Sequence, residues 1–166
     1  MPEITTPQEL FVHELGDILY VEQQLVEKAL PKLIGEVQDD ELKSALEKLL
    51  TETKKHVENV EAVFEMLGED PETEVCLGFE GLTKEHKKMV EETSNDLIDV
   101  VDLGAAARTE NYEIAAYETL LRMAKALGET DAATLLQANL DQEKAALRTV
   151  EKIATRVSKE LATQAA

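Results

Sequence analysis

Cysteine occurs once in this sequence, tryptophan not at all, and proline only four times. The lone thiol, Cys76, excludes an intrachain disulfide and any cysteine-rich zinc site. Aromatic residues make up only 4% of the chain, and there are seven glycines. So few breakers leave room for long uninterrupted elements. Positive charge is also short: 17 Lys and Arg face 35 Asp and Glu, a formal net charge of −18. Such a surface repels phosphates and anionic lipid heads, which argues against nucleic acid and membrane as partners. Solubility is the plainest role for that acidity. No segment approaches the roughly 18 consecutive apolar residues of a membrane span. Met1 to Leu10 carries charge and proline where a signal peptide would be apolar. A soluble cytoplasmic protein is expected.

What is abundant is Leu, Ala, Val, Glu and Lys, a helix-forming mixture. The length of 166 residues suits one domain, residues 1–166, with its core over about 7–161. Thr6-Pro7 reads as a helix start, with Thr6 as N-cap and Pro7 in the first turn. Leu15, Ile18, Leu25, Ala29 and Leu33 then recur at helical spacing, with Pro31 expected to kink the end. A second helix is predicted from Asp39 to Leu67 on a stripe of Leu42, Ala45, Leu49, Val60, Val63 and Leu67, with Gly68 as its cap. A short helix over about Glu80 to Glu92 follows an irregular stretch.

The third long helix spans about Asn95 to Leu127 and carries Val100, Leu103, Ala107, Ile114, Leu121, Ala124 and Leu127 inward. Gly104 inside it suggests close helix packing, and Gly128 ends it. The fourth runs from about Thr130 to Leu161 on Leu136, Leu140, Leu147, Val150, Ile153 and Val157, and the tail from Ala162 is expected to fray. Tight links join helices one and two and helices three and four. The long link between two and three contains the short helix and can cross the bundle. The expected fold is all-α: a ferritin-like four-helix bundle with a short crossover helix between helices two and three.

Each apolar stripe is broken by glutamate. The runs 15-18-22-25-29, 45-49-52-56-60, 103-107-110-114-117 and 136-140-143-147-150 place Glu22, Glu52, His56, Glu110 and Glu143 inward, with Glu113 close by. A single glutamate on an apolar stripe is more often a rim residue. Here each lies near the middle of its helix, so helices of similar length would bring them to one level. Buried carboxylates crowded together cannot all ionise without a counter-charge. Two divalent ions would supply it. An oxygen-rich donor set with one imidazole favours iron, then manganese, over zinc or copper. One ion is expected on Glu22, Glu52, His56 and Glu110, and the other on Glu52, Glu110, Glu113 and Glu143. His13 and His86 read as surface or packing residues, and Cys76 as inert. Tyr20, Tyr112 and Tyr117 flank the layer, able to orient glutamates or simply to pack, and Asp17 is either a supporting residue or solvated.

The segments Glu9-Leu10-Phe11-Val12-His13-Glu14-Leu15, Tyr20-Val21-Glu22-Gln23-Gln24-Leu25, Glu110-Asn111-Tyr112-Glu113-Ile114-Ala115-Ala116-Tyr117 and Gln142-Glu143-Lys144 resemble the YciE/YciF-type stress proteins. The resemblance runs from about residue 7 to 157. It implies a rubrerythrin-like bundle, a di-iron site and a homodimer, with Glu22, Glu52, Glu110, Glu113 and Glu143 at the family's acidic positions and His56 where members vary. The function expected is oxygen- or peroxide-linked redox or ferroxidase-like chemistry in stress protection. The alternative is a metal-binding or structural stress protein without turnover. With one cysteine, the chain has no cysteine-rich electron-transfer domain of the kind rubrerythrins carry.

Overall fold

The computed structural model describes residues 3–164, and every regular element among them is helical. Helix α1 (Pro7–Gln24) opens on a reciprocal cap. The Thr6 hydroxyl accepts from the Glu9 N–H at 3.1 Å, and the Glu9 carboxylate accepts from the Thr6 N–H at 2.9 Å. A single π-turn (Leu25–Ala29) joins α1 to α2 (Leu30–Glu36), with the Leu30 N–H reaching back to the Leu25 carbonyl. Pro31 explains the wider turn. It lacks an N–H, and its ring would press on the carbonyl four residues earlier. The expected effect of Pro31 is therefore taken up by one widened turn. The extra residue also shifts the register: Leu30 is 2% exposed and takes the core position expected of the half-buried Ala29.

Helix α3 (Asp40–Leu67) is capped by Asp39, which accepts from the Leu42 N–H at 2.9 Å, and ends on Gly68 at φ 75°. Helix α4 (Leu77–Glu92) starts earlier than its apolar spacing suggests, because the Cys76 sulfur accepts from the Phe79 N–H at 3.3 Å. A 3-10 turn (Asn95–Leu97) leads into α5 (Ile98–Leu127), closed by Gly128 at φ 81°. Helix α6 (Thr130–Gln164) continues past Ala162, where fraying was expected; Ala165 and Ala166 lie outside the described residues.

Helices α1 and α6 each pack against both α3 and α5, so the long helices enclose one core, and α4 lies on α5. Phe11, Leu15, Ile18, Leu42, Val60 and Ile153 are fully buried there. Each such side chain contributes about 1.5–3 kcal/mol relative to exposure. Several stripe positions differ from expectation: Val100 is exposed, and Leu46, Ala106 and Ala146 are buried where Ala45, Ala107 and Leu147 were expected.

The link between α3 and α4 crosses α1 at Gly16. The Glu74 N–H donates to the Gly16 carbonyl at 3.0 Å, and a Cβ on Gly16 would stand 2.9 Å from the Glu72 carbonyl oxygen. Only glycine admits that approach. Gly104, by contrast, is not at a close helix contact, since a Cβ there would meet only Arg108 Nη1 at 3.7 Å.

Candidate metal centre

Helices α1, α3, α5 and α6 each carry at least one ionisable side chain into the bundle interior. Glu22 and His56 are 0% exposed, Glu110 and Glu143 1%, and Glu113 2%. Ligand atoms of Glu22, His56 and Glu143 lie within 4.8 Å of one another, and so do those of Glu110, Glu113 and Glu143. The two groups meet at Glu143. His56 Nδ1 stands 2.8 Å from Glu143 Oε1 and 3.5 Å from Glu22 Oε1. Neither approach has the alignment of a hydrogen bond. Glu22 Oε2, His56 Nδ1, Glu110 Oε2, Glu113 Oε1 and both Glu143 oxygens are buried without a hydrogen-bond partner in the protein. Buried polar atoms are nearly always partnered, so a concentration of orphans in one layer is suited to hold a cation.

The electrostatics agree. Burial, reinforced by Glu143, pushes Glu110 up to about 10. Burial is also the main cause raising Glu22 and Glu113, aided at both by the Glu143 charge. At His56 burial works against the charged ring, but the carboxylates of Glu143 and then Glu22 outweigh it and push the ring up to about 11. The layer must therefore collect positive charge, as protons or as metal. Four buried carboxylates and a neutral imidazole match two divalent cations in charge. Oxygen donors with one nitrogen fit iron or manganese.

Glu52 lies outside both groups. Its side chain is 20% exposed, with Oε1 2.8 Å from Lys48 Nζ. The inner position belongs to Thr53, 1% exposed, whose hydroxyl donates to the Leu49 carbonyl at 2.9 Å. Helix α3 presents 49, 53, 56 and 60 to the core, whereas the expected run used 52, about 100° around the helix from 53. Threonine thus stands three residues before His56, where di-metal bundles carry the glutamate of Glu-x-x-His. The residue common to both groups is Glu143, not Glu52 or Glu110 as the expected ligand sets had it.

A supporting network was not anticipated in full. The ring of His56 meets Gln142 Oε1 through Nε2 at 2.7 Å. Asn59 Nδ2 donates to Asn139 Oδ1 at 2.7 Å, and Asn139 Nδ2 donates to the Tyr117 hydroxyl at 3.0 Å. Tyr117 in turn donates a very short hydrogen bond to Glu22 Oε1. The signal was positional. Asn59 lies three residues after His56 and Asn139 four before Glu143, on the same helix faces as the buried histidine and glutamate.

The remaining candidates lie outside both groups. His13 is half-buried, 3.9 Å from Glu74. His86 on α4 pairs with the buried Asp102 at 2.7 Å. Tyr20 donates to Glu80 at 2.6 Å, and Tyr112 donates to Asp17 at 3.0 Å with Cys76 Sγ 2.8 Å from its oxygen. Burial pushes the Cys76 thiol up, consistent with an inert sulfur. No helix among the described residues is long and apolar enough to cross a membrane.

The family described as "Domain of unknown function (DUF892)" matches residues 6–163. Protein YciF of Escherichia coli K12 is 35% identical over 142 residues, covering 84% of this chain and 85% of that protein. The crystal structure of the E. coli stress protein YciF superposes with a TM-score of 0.85 at 33% identity, covering 92% of this chain and 96% of that one. YcfI of Rhodopseudomonas palustris, provisionally described as a structural protein, gives 0.86 at 37% identity over 90% and 95% of the two chains. A Xanthomonas campestris protein with 19% identity gives 0.75 over 95% and 97%, a likeness of fold alone.

Proposed function

The chain belongs to the DUF892 family, and we propose that in this member Glu22, His56, Glu110, Glu113 and Glu143 hold two divalent metal ions, iron before manganese. The observation that carries this is the set of orphaned donor atoms on five buried side chains from four helices. The connectivity is ferritin-like: two helical hairpins joined by a crossover segment that contains α4. When bound, such a pair supplies electron transfer to dioxygen or peroxide, the reactants of a protective role under stress.

The chain's own residues do the rest. Gln142 accepts from His56 Nε2–H, which leaves the Nδ1 lone pair facing Glu22 and Glu143. Tyr117 engages Glu22 Oε1 and leaves Oε2 free. Burial excludes bulk water and strengthens every charge interaction in the layer. The protein is a cytoplasmic homodimer in this reading.

A second reading, metal binding or a structural role without turnover, is favoured by Thr53. It stands where the usual di-metal pattern has a glutamate, and the two groups hold one imidazole where that pattern has two. The description of the R. palustris relative as structural points the same way.

The test is metal content per chain in protein purified without chelator, then oxidation of added Fe(II) by dioxygen or peroxide. Wild type and Glu52→Gln should load about two ions and oxidise Fe(II) alike, and Glu143→Gln should lose both properties. Two ions without faster oxidation supports the second reading. Absence of metal from wild type after loading with Fe(II) and Mn(II) sinks both metal readings.

A further inference from the structure

Helix α4 is loosely seated. Of its 16 residues only Phe79 is fully buried, while Leu77 and Met89 are exposed. Beneath it lies a cavity of about 150 Å³. Leu30 from α2, Leu46 and Leu49 from α3, Phe79 and Leu82 from α4 and Ala106 from α5 form its walls. These surfaces are aliphatic or aromatic. The π-turn before Pro31 and the small side chain of Ala106 help leave the space unfilled. Polar side chains line it as well, Thr83 and Thr109 among them, but the one that is itself buried is Glu110, whose Oε2 is unpartnered.

Charge and size select the class of occupant. Three cationic side chains stand at the rim, but each already faces an acid: Lys32 with Glu36 at 3.7 Å, Lys87 with Glu91 at 4.0 Å and Arg108 with Glu85 at 3.8 Å. His86 is engaged by Asp102 at 2.7 Å. No uncommitted cation is left among the lining residues for an anionic head group, and a carboxylate ligand would give up its hydration against apolar walls. Apolar walls equally disfavour a cation. Water gains little, since an apolar cavity of about 150 Å³ stays dry and takes up benzene or xenon. A long acyl chain is too large.

We propose that the cavity beneath α4 is a binding site for a small uncharged organic molecule, about one aromatic ring in size, seated against Glu110. Binding itself does not require metal. Its placement beside the ion pair rests on the function proposed above, because Glu110 is one of those ligands. The cavity would then present an apolar molecule to the metal layer from the side of Glu110, Glu113 and Glu143.

Benzene is the probe. Titration of the full chain, chelator-treated and metal-loaded, is followed by calorimetry and by NMR of protein carrying carboxyl-labelled glutamate. One benzene per chain is expected in both forms, with the Glu110 carboxyl signal moving and the exposed-side Glu52 signal still. Benzoate and benzylamine should bind at least tenfold more weakly than benzene. Filling the cavity with Ala106→Phe, or with Ala29→Leu should that variant fail to fold, should weaken benzene at least tenfold. No saturable benzene binding, unchanged affinity in a folded cavity-filling variant, benzoate or benzylamine binding as tight as benzene, or a Glu110 signal that does not move each overturns the proposal. The outcome is separable from the metal question. Benzene binding with no metal uptake leaves the site standing and removes the ion pair, and the converse removes only the site.

Discussion

His56 Nε2 stands 2.7 Å from Gln142 Oε1, so one side chain of α6 fixes which edge of the imidazole looks into the layer of buried carboxylates. The neighbouring residue on α6, Glu143, contributes the carboxylate that the other ring nitrogen faces at 2.8 Å. Two consecutive residues thus address both nitrogens of one histidine. Replacing Gln142 with Leu removes the acceptor and frees the ring to change tautomer. Metal affinity, measured by competition with a chelating dye, should fall about 10–100-fold, with helix content unchanged. An unaltered affinity would remove Gln142 from the site.

Metal binding should compete with protons. His56, pushed up to about 11, and Glu110, pushed up to about 10, hold protons near neutral pH that an ion must displace. Apparent affinity should rise with pH, about tenfold per unit for each proton released. Stability of the chelator-treated protein should move the opposite way. Both groups bind protons more tightly folded than unfolded. The His56 contribution is complete below its ordinary 6.5 and lost toward about 11. That of Glu110 is complete below its ordinary 4.5 and lost toward about 10. Melting curves at about pH 6 and pH 9 should therefore show the metal-free protein losing stability and the gap to the loaded protein widening. A gap that narrows contradicts the charge argument.

Tyr117→Phe tests the polar network. The hydroxyl donates to Glu22 Oε1 and accepts from Asn139 Nδ2 at 3.0 Å, both buried. Its removal leaves a donor and an acceptor unpaired at a cost of about 1–3 kcal/mol each in the metal-free protein. Urea denaturation measures it, and a loss below about 0.5 kcal/mol would mean that water replaces the hydroxyl.

Two glycines should respond with opposite signs to the same substitution. Gly104→Ala lies mid-helix with only Arg108 Nη1 at 3.7 Å from the new Cβ, so it should stabilise by about 0.5–1 kcal/mol. Gly16→Ala sets its Cβ 2.9 Å from the Glu72 backbone oxygen and should destabilise by about 1–3 kcal/mol. Thermal melts of the two variants suffice.

Helix ends and most of the buried acidic positions could be read from the chain because they depend on local chemistry. Thr6, Gly68 and Gly128 act where cap residues should, and Glu22, Glu110, Glu113, Glu143 and His56 stand on buried faces. Glu52 and Ala29 were misplaced for one shared reason: a stripe of spacing three and four admits two registers, and only packing chooses between them. Around Thr53 the choice falls to the neighbouring helices, and around Leu30 to a π-turn that no regular period anticipates. Gln142 meets His56 across 86 residues of chain and Asn59 meets Asn139 across 80, beyond the reach of local patterns.

Glu143 belongs to both ligand groups, and this has a thermodynamic consequence. The first ion to arrive would settle the orientation of a carboxylate that the second also needs, lowering the ordering entropy left to the second step. Half-filled molecules should then be scarce, and titration should pass from empty to doubly occupied chains in one cooperative rise.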